Sequence, residues 1–382
     1  MGGWERALDA AGVREPALRE AYGRQRAEVA AYKREVALAA GLLLPPATLP
    51  HVIAATAFMH RTDDLLDSGP PATRRAAADR WRAEVAAALR DGRTDRPDLR
   101  PLLNSVEARP VLRGRVLDFL AAADADLDFA GFATEADYQD YLDGYSLPGF
   151  MVVAALLGPD GDQRAYLAAC RTFIDSCQRL DFVNDLAEDL ADGRLTLPRQ
   201  TLAEHGVTRA DLERGEATPA VRALLGALLD RADRDRAAGR TLAGLVAPAH
   251  RPMVRCLVGV ERLTATAARA DPGALLRRPA SPAKPALLRL LGREYLRARR
   301  VRRGSGRGLS PGAVRSWSPR PPSGAAGRRC AAGRRRPGAG PGRRTARCPG
   351  TGRPACRPTC CRWRGSSPRA GRPGRCRGRR RR

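Results

Sequence analysis

Long apolar runs are missing from this chain of 382 residues. No uninterrupted stretch approaches the ~18 residues that suggest a membrane-spanning helix, and the opening "MGGWERALDAAG" lacks the apolar centre of a secretory signal. A soluble cytoplasmic protein is the expectation. Paired cysteines are missing as well: Cys330, Cys348, Cys356, Cys360, Cys361 and Cys376 crowd the C-terminal part without CxxC spacing, and only Cys170, Cys177 and Cys256 precede it. That excludes a disulfide framework and a zinc site. Before residue 300, β-branched residues are few and hairpin signals absent, which argues against a sheet; Ala, Leu and Arg dominate and favour helix almost throughout.

Acidic residues are missing from one end. Residues 301–382 hold 25 Arg and no Asp, Glu or Lys, leaving 43 basic against 41 acidic residues before them, so nearly all of the net charge of +27 lies in this segment. It uses ten residue types and offers almost nothing apolar to bury, so an Arg/Gly/Pro-rich disordered tail is expected. Two readings stand: a polybasic arm for an acidic surface, or a GC-rich gene read out of frame after about residue 300. Apart from Trp317 and Trp363 the aromatic interleaving of a nucleic-acid binder is missing, and no specific nucleic-acid partner is expected. Function belongs to residues 1–300.

There the spacing predicts helices over about 16–43, 47–67, 71–91, 110–128, 135–157, 162–192, 216–239, 242–269 and 283–300, an all-α bundle in one domain. Two acidic clusters interrupt otherwise ordinary amphipathic sequence. "HRTDDLLD" carries Asp63, Asp64 and Asp67; about 115 residues later "CQRLDFVNDLAEDLADGRLTLP" carries Asp181, Asp185 and Asp189 at spacing four, and Asn184, Glu188 and Asp192 at the same spacing beside them. Like charges at i and i+4 oppose a helix by about 0.2–0.5 kcal/mol each unless a cation sits between the turns. Either cluster alone reads as a solvated face. Two clusters facing one another across a bundle would make an all-oxygen site suited to Mg²⁺ and a substrate diphosphate.

These stretches resemble the two aspartate-rich motifs of the squalene/phytoene synthase family, the second of which reads Q-x-x-N-x-x-x-D-x-x-E-D followed by Gly-Arg-x-x-x-Pro. Gln178, Asp185, Glu188, Asp189, Gly193, Arg194 and Pro198 fit it, and "LDAAGVREPALREAYGRQRAEVAAY" and "DYQDYLDGYSLPGFMVVAALLG" are similar to the family too, so the likeness spans about residues 7–290. It implies the class I terpenoid synthase bundle with a central active-site cavity, and Mg²⁺ on Asp63, Asp67 and Asp185, with Asp64, Asp181, Asn184, Glu188, Asp189 and Asp192 as further candidate ligands. It also implies a prenyl diphosphate substrate, for which His60, Arg61, Arg179, Tyr145 and Phe150 are candidate contacts. Lys33, Arg171 and Arg255 are additional candidates for the diphosphate. His51 is expected to be structural.

The chain departs from the family at His60, where an Arg is usual, at Asp143 in place of a Tyr, at Ser146 and Leu147 in place of an Ala-Gly pair, and at Asp181 in place of Asn. "LAAGLLLP" also stands where a Ser- or Phe- and Arg-containing stretch is usual. Because these positions serve the second substrate in the family, the reading at this stage is a terpene cyclase that ionises one farnesyl or geranylgeranyl diphosphate. The alternative is head-to-head joining of two prenyl diphosphates, and a weaker one is an inactive basic-tailed binding protein.

Overall fold

The computed structural model describes residues 2–307 except 68–70, 128, 160–162 and 235–236. The disordered tail expected from residue 301 is corrected at its start, where helix continues to Arg307, and the rest of it, from residue 308 on, lies outside the described residues. The chain is all helix among them: α1 (Gly3–Ala10), α2 (Pro16–Tyr32), α3 (Arg34–Leu43), α4 (Leu49–Asp67), α5 (Pro71–Asp91), α6 (Arg100–Ala108), α7 (Val111–Leu127), α8 (Glu135–Tyr141), a π-helical turn (Leu142–Ser146), α9 (Leu147–Ala154) and α10 (Arg164–Asn184). There follow α11 (Leu186–Ala191), α12 (Arg199–Glu204), α13 (Arg209–Glu213), α14 (Pro219–Arg234), α15 (Ala237–Leu245), α16 (Arg251–Ala270), a 3₁₀ turn (Pro272–Leu276) and α17 (Lys284–Arg307). None of these helices is long and apolar enough to cross a membrane.

The bundle is built around α10. Its apolar side buries Cys170, Phe173, Ile174, Cys177, Leu180 and Val183 against α9, α14, α15 and α16. On the other flank α4 packs on α2, α5, α6 and α9. The two helices that carry the acidic clusters therefore belong to one core, with α9 touching both. A buried polar group pins α4 to its neighbours: His51 Nδ1 lies 3.0 Å from Ser105 Oγ, which lies 2.9 Å from the Tyr22 hydroxyl. Burial pushes the His51 imidazole down to about 4, so it stays neutral in the folded protein; the structural role expected for it fits.

Several helices expected to be continuous are broken. The 16–43 segment divides at Lys33 (φ −141°, ψ 73°), the 135–157 segment passes through the π-helical turn, and the 162–192 segment stops at Asp185 (φ −94°, ψ 8°) before resuming as α11. The 242–269 segment begins only at Arg251, with α15 standing separately before it, and α1, α6, α12 and α13 fall where connections were expected.

Candidate active site

Lys33, one of two lysines in the chain, shows how the clusters meet. The break between α2 and α3 sets its ammonium among carboxylates from three helices: Asp63 of α4, Asp181 and Asp185 at the end of α10, and Glu261 of α16. Burial pushes the Lys33 ammonium down to about 8, against the pull of those four carboxylates. Burial likewise pushes the Asp181 carboxyl up to about 6, in spite of the Lys33 charge beside it. Charges taken out of water this far need partners of opposite sign, so the convergence is of two acidic stretches upon a cation. Glu261 has no part in either motif. Its only sequence signal is that it is the one acidic residue between Arg251 and Ala270.

Asp185 ends α10 through its backbone. Its carbonyl accepts from the amides of Glu188 and Asp189 at 2.9 Å each, starting α11 in a new direction. The regular four-residue spacing predicted for Asp181, Asp185 and Asp189 is therefore interrupted. Asp189 Oδ2 accepts from Thr196 Oγ1 at 2.9 Å, and its carbonyl takes the Arg194 amide at 2.7 Å across Gly193, which holds φ +76° as the left-handed residue closing the helix. Arg194, buried, lies 4.5 Å over the Phe129 ring. The Gly-Arg stretch thus braces the turn after α11. Glu188 and Asp192 are exposed. Asn184 Oδ1 accepts the Ala280 amide at 2.8 Å. The side chain of Asp67, the last residue of α4, lies outside the described residues.

On α4 each residue advances about 100° around the axis, and this separates Asp64 from Asp63. Asp64, with His60 and Arg61, lines a cavity of about 550 Å³ between α2, α4 and α5, together with Gln25, Tyr32 and Trp81. His60 stacks on Tyr32 with ring centroids 3.7 Å apart, its Nε2 3.8 Å from the Asp64 carboxylate. Arg179 is also placed elsewhere than expected. It pairs with Glu135 and, at 2.8 Å, with Asp175, and lies 4.2 Å over the Tyr138 ring; Arg231 joins Glu135 at 2.8 Å. This network ties α8 to α10 and α14 and gives Arg179 a bracing role. Arg171 is held by Asp143 at 2.7 and 2.8 Å. Arg255 is exposed. Tyr145 is buried against Phe119 and Tyr141, and Phe150 packs on Phe173 at 5.9 Å. The Ser146 hydroxyl, in the π-helical turn, donates to Gln178 Oε1 at 2.9 Å and couples that turn to the face of α10 that carries Asp181 and Asp185.

Hard oxygen donors from two helices suit Mg²⁺, and the Lys33 ammonium already meets Asp63, Asp181 and Asp185 as a cation there. Among the described residues, no group of three or more His, Cys, Asp or Glu side chains is close enough to hold one ion.

An all-α bundle with acidic motifs on two core helices is the architecture of the isoprenoid synthases. The squalene/phytoene synthase pattern matches residues 29–286, and the chain belongs to that family. It is 34% identical over 219 residues to the bifunctional protein CrtB/UppS of Streptomyces coelicolor, a match covering 57% of this chain and 38% of that one. The chain thus spans about two-fifths of that relative. Among solved structures it superposes on a dehydrosqualene synthase with a TM-score of 0.65 (18% identity, 74% of this chain and 98% of the other). It superposes on the squalene synthase HpnC of Alicyclobacillus acidocaldarius with a TM-score of 0.62 (24% identity, 71% and 99%). These likenesses give the fold.

Proposed function

We propose that the chain joins two prenyl diphosphates head to head, the reaction type of the squalene and phytoene synthases, rather than cyclising one. The observation that carries the reading is the match to the squalene/phytoene synthase family over residues 29–286, supported by Asp63, Asp181 and Asp185 all acting on the Lys33 charge. The cyclase reading rested on departures thought to damage the second substrate's pocket, and three of these positions have other employment. His60 stacks on Tyr32, Asp143 is a half-exposed partner of Arg171, and Ser146 is bonded to Gln178. Their substitution is no argument against a second substrate.

Asp63 and Asp185, with Asp181 and Asp67, would hold Mg²⁺, which supplies neutralising charge for a diphosphate leaving group. Lys33 adds a hydrogen-bond donor within electrostatic reach of the same carboxylates, and at about 8 its ammonium stays protonated at neutral pH. When the carbon–oxygen bond breaks, its electron pair departs with the diphosphate. The allylic cation left behind is attacked by the double bond of the second prenyl diphosphate, and loss of one proton closes a cyclopropane. Tyr145, Phe150 and their ring neighbours would offer aromatic faces to cations and a wall against water.

The test is release of diphosphate from farnesyl and geranylgeranyl diphosphate. It is expected to require Mg²⁺ and to fall by roughly a hundredfold or more in D63N and in D185N, the scale of losing one preorganised electrostatic contact. Release that survives both substitutions would remove the proposed role of the two motifs.

A further inference from the structure

Exposed apolar side chains are concentrated on two adjoining helices. Of the six large hydrophobic residues exposed among the described ones, Leu288 and Leu296 lie on α17, at 69% and 55% exposure, and Leu38 and Val36 lie on α3, which packs against it. Leu288 and Leu296 are eight residues apart with exposed Gly292 midway, so they form one stripe along the outer face of α17. Beside it Arg289, Arg293 and Arg297 make a parallel row one residue on, and Arg300 and Arg303 continue the face towards the C-terminus; all five are exposed.

The helix holds nine basic residues and one acid, Glu294. That acid is fully buried, and its Oε1 accepts from Arg293 at 3.1 Å and from Arg297 at 2.6 Å, anchoring two guanidinium groups of the row from beneath. The outer face of α17 therefore offers positive charge and leucine, with no exposed carboxylate to oppose an anionic partner.

We infer that this face of α17 docks the protein peripherally on an anionic lipid surface, with Leu288 and Leu296 entering the headgroup boundary and the arginines meeting lipid phosphates. The combination selects this occupant. A nucleic acid would use the arginines and gain nothing from the leucines. A second copy of the chain would set one arginine row against another.

Flotation of the full chain with vesicles of phosphatidylcholine containing about a third phosphatidylglycerol tests this, at about 0.15 M salt. Binding is expected to these vesicles and not to pure phosphatidylcholine. L288S/L296S is expected to bind at least tenfold more weakly, with thermal unfolding unchanged because both side chains are exposed. Should the pair unfold early, L296S alone and R289Q/R300Q/R303Q provide the same comparison. Failure of the wild type to float would overturn the inference. So would equal binding by the leucine variants, which would assign the attraction to charge alone, or duplex DNA displacing the vesicles.

Discussion

At the residue scale, Lys33 balances carboxylates that would otherwise repel one another. If so, K33M leaves Asp63, Asp181, Asp185 and Glu261 without that ammonium and should unfold at lower temperature without Mg²⁺. An ion that binds only the folded state stabilises it by mass action, so adding Mg²⁺ should raise the melting temperature of K33M by more than that of the wild type. An equal rise in both would place Lys33 outside the metal's neighbourhood. His51 makes a separate prediction. Its folded-state value of about 4 lies below the ordinary 6.5, so the unfolded chain takes up a proton first as pH falls. The folded state is undisturbed above about pH 6.5 and loses stability between there and pH 4, by roughly 3 kcal/mol at about 1.36 kcal/mol per pH unit. Urea unfolding at pH 7.5 and 4.5 should show a smaller loss in H51Q than in the wild type, and an identical loss would remove His51 as the cause.

At the scale of the element, the two acidic motifs, the all-α class and helices such as α5 were legible because charge spacing and apolar periodicity are local properties. What the pattern concealed were the breaks, and two of them shape the site. The backbone departs from helix at Lys33 and at Asp185 although good helix formers lie on both sides of each. Periodicity registers the neighbours, whereas a break is held by contacts from far along the chain, such as the Ala280 amide on Asn184 beside Asp185. For the same reason Arg179, adjoining the second motif in sequence, points to Asp175 and Glu135 instead: on a helix, one residue's step is enough to change partners. Glu261 was not legible at all, since nothing but folding brings α16 to Lys33. R179M leaves the partly buried Glu135 and Asp175 carboxylates without this partner and should cost roughly 3 kcal/mol in urea unfolding, as when a buried ion pair is broken. The Michaelis constant for prenyl diphosphate should stay within about twofold, whereas loss of a hydrogen bond to a charged group would raise it at least tenfold.

At the scale of the molecule, one core carries both motif helices, and the family match at residues 29–286 coincides with it. The family match ends at residue 286 and the acidic motifs lie well before it, so a chain ending at residue 307 should retain diphosphate release and unfold at the same temperature as the full chain. A large drop in either would make the remaining residues part of the working domain. The central claim is that the site serves two prenyl diphosphates. Its most direct test is the mass of the prenyl product, as hydrocarbon or as cyclopropyl diphosphate, made from a single purified prenyl diphosphate with Mg²⁺. The account predicts a product of twice the substrate's carbon number, and a cyclic hydrocarbon of the substrate's own carbon number would contradict it.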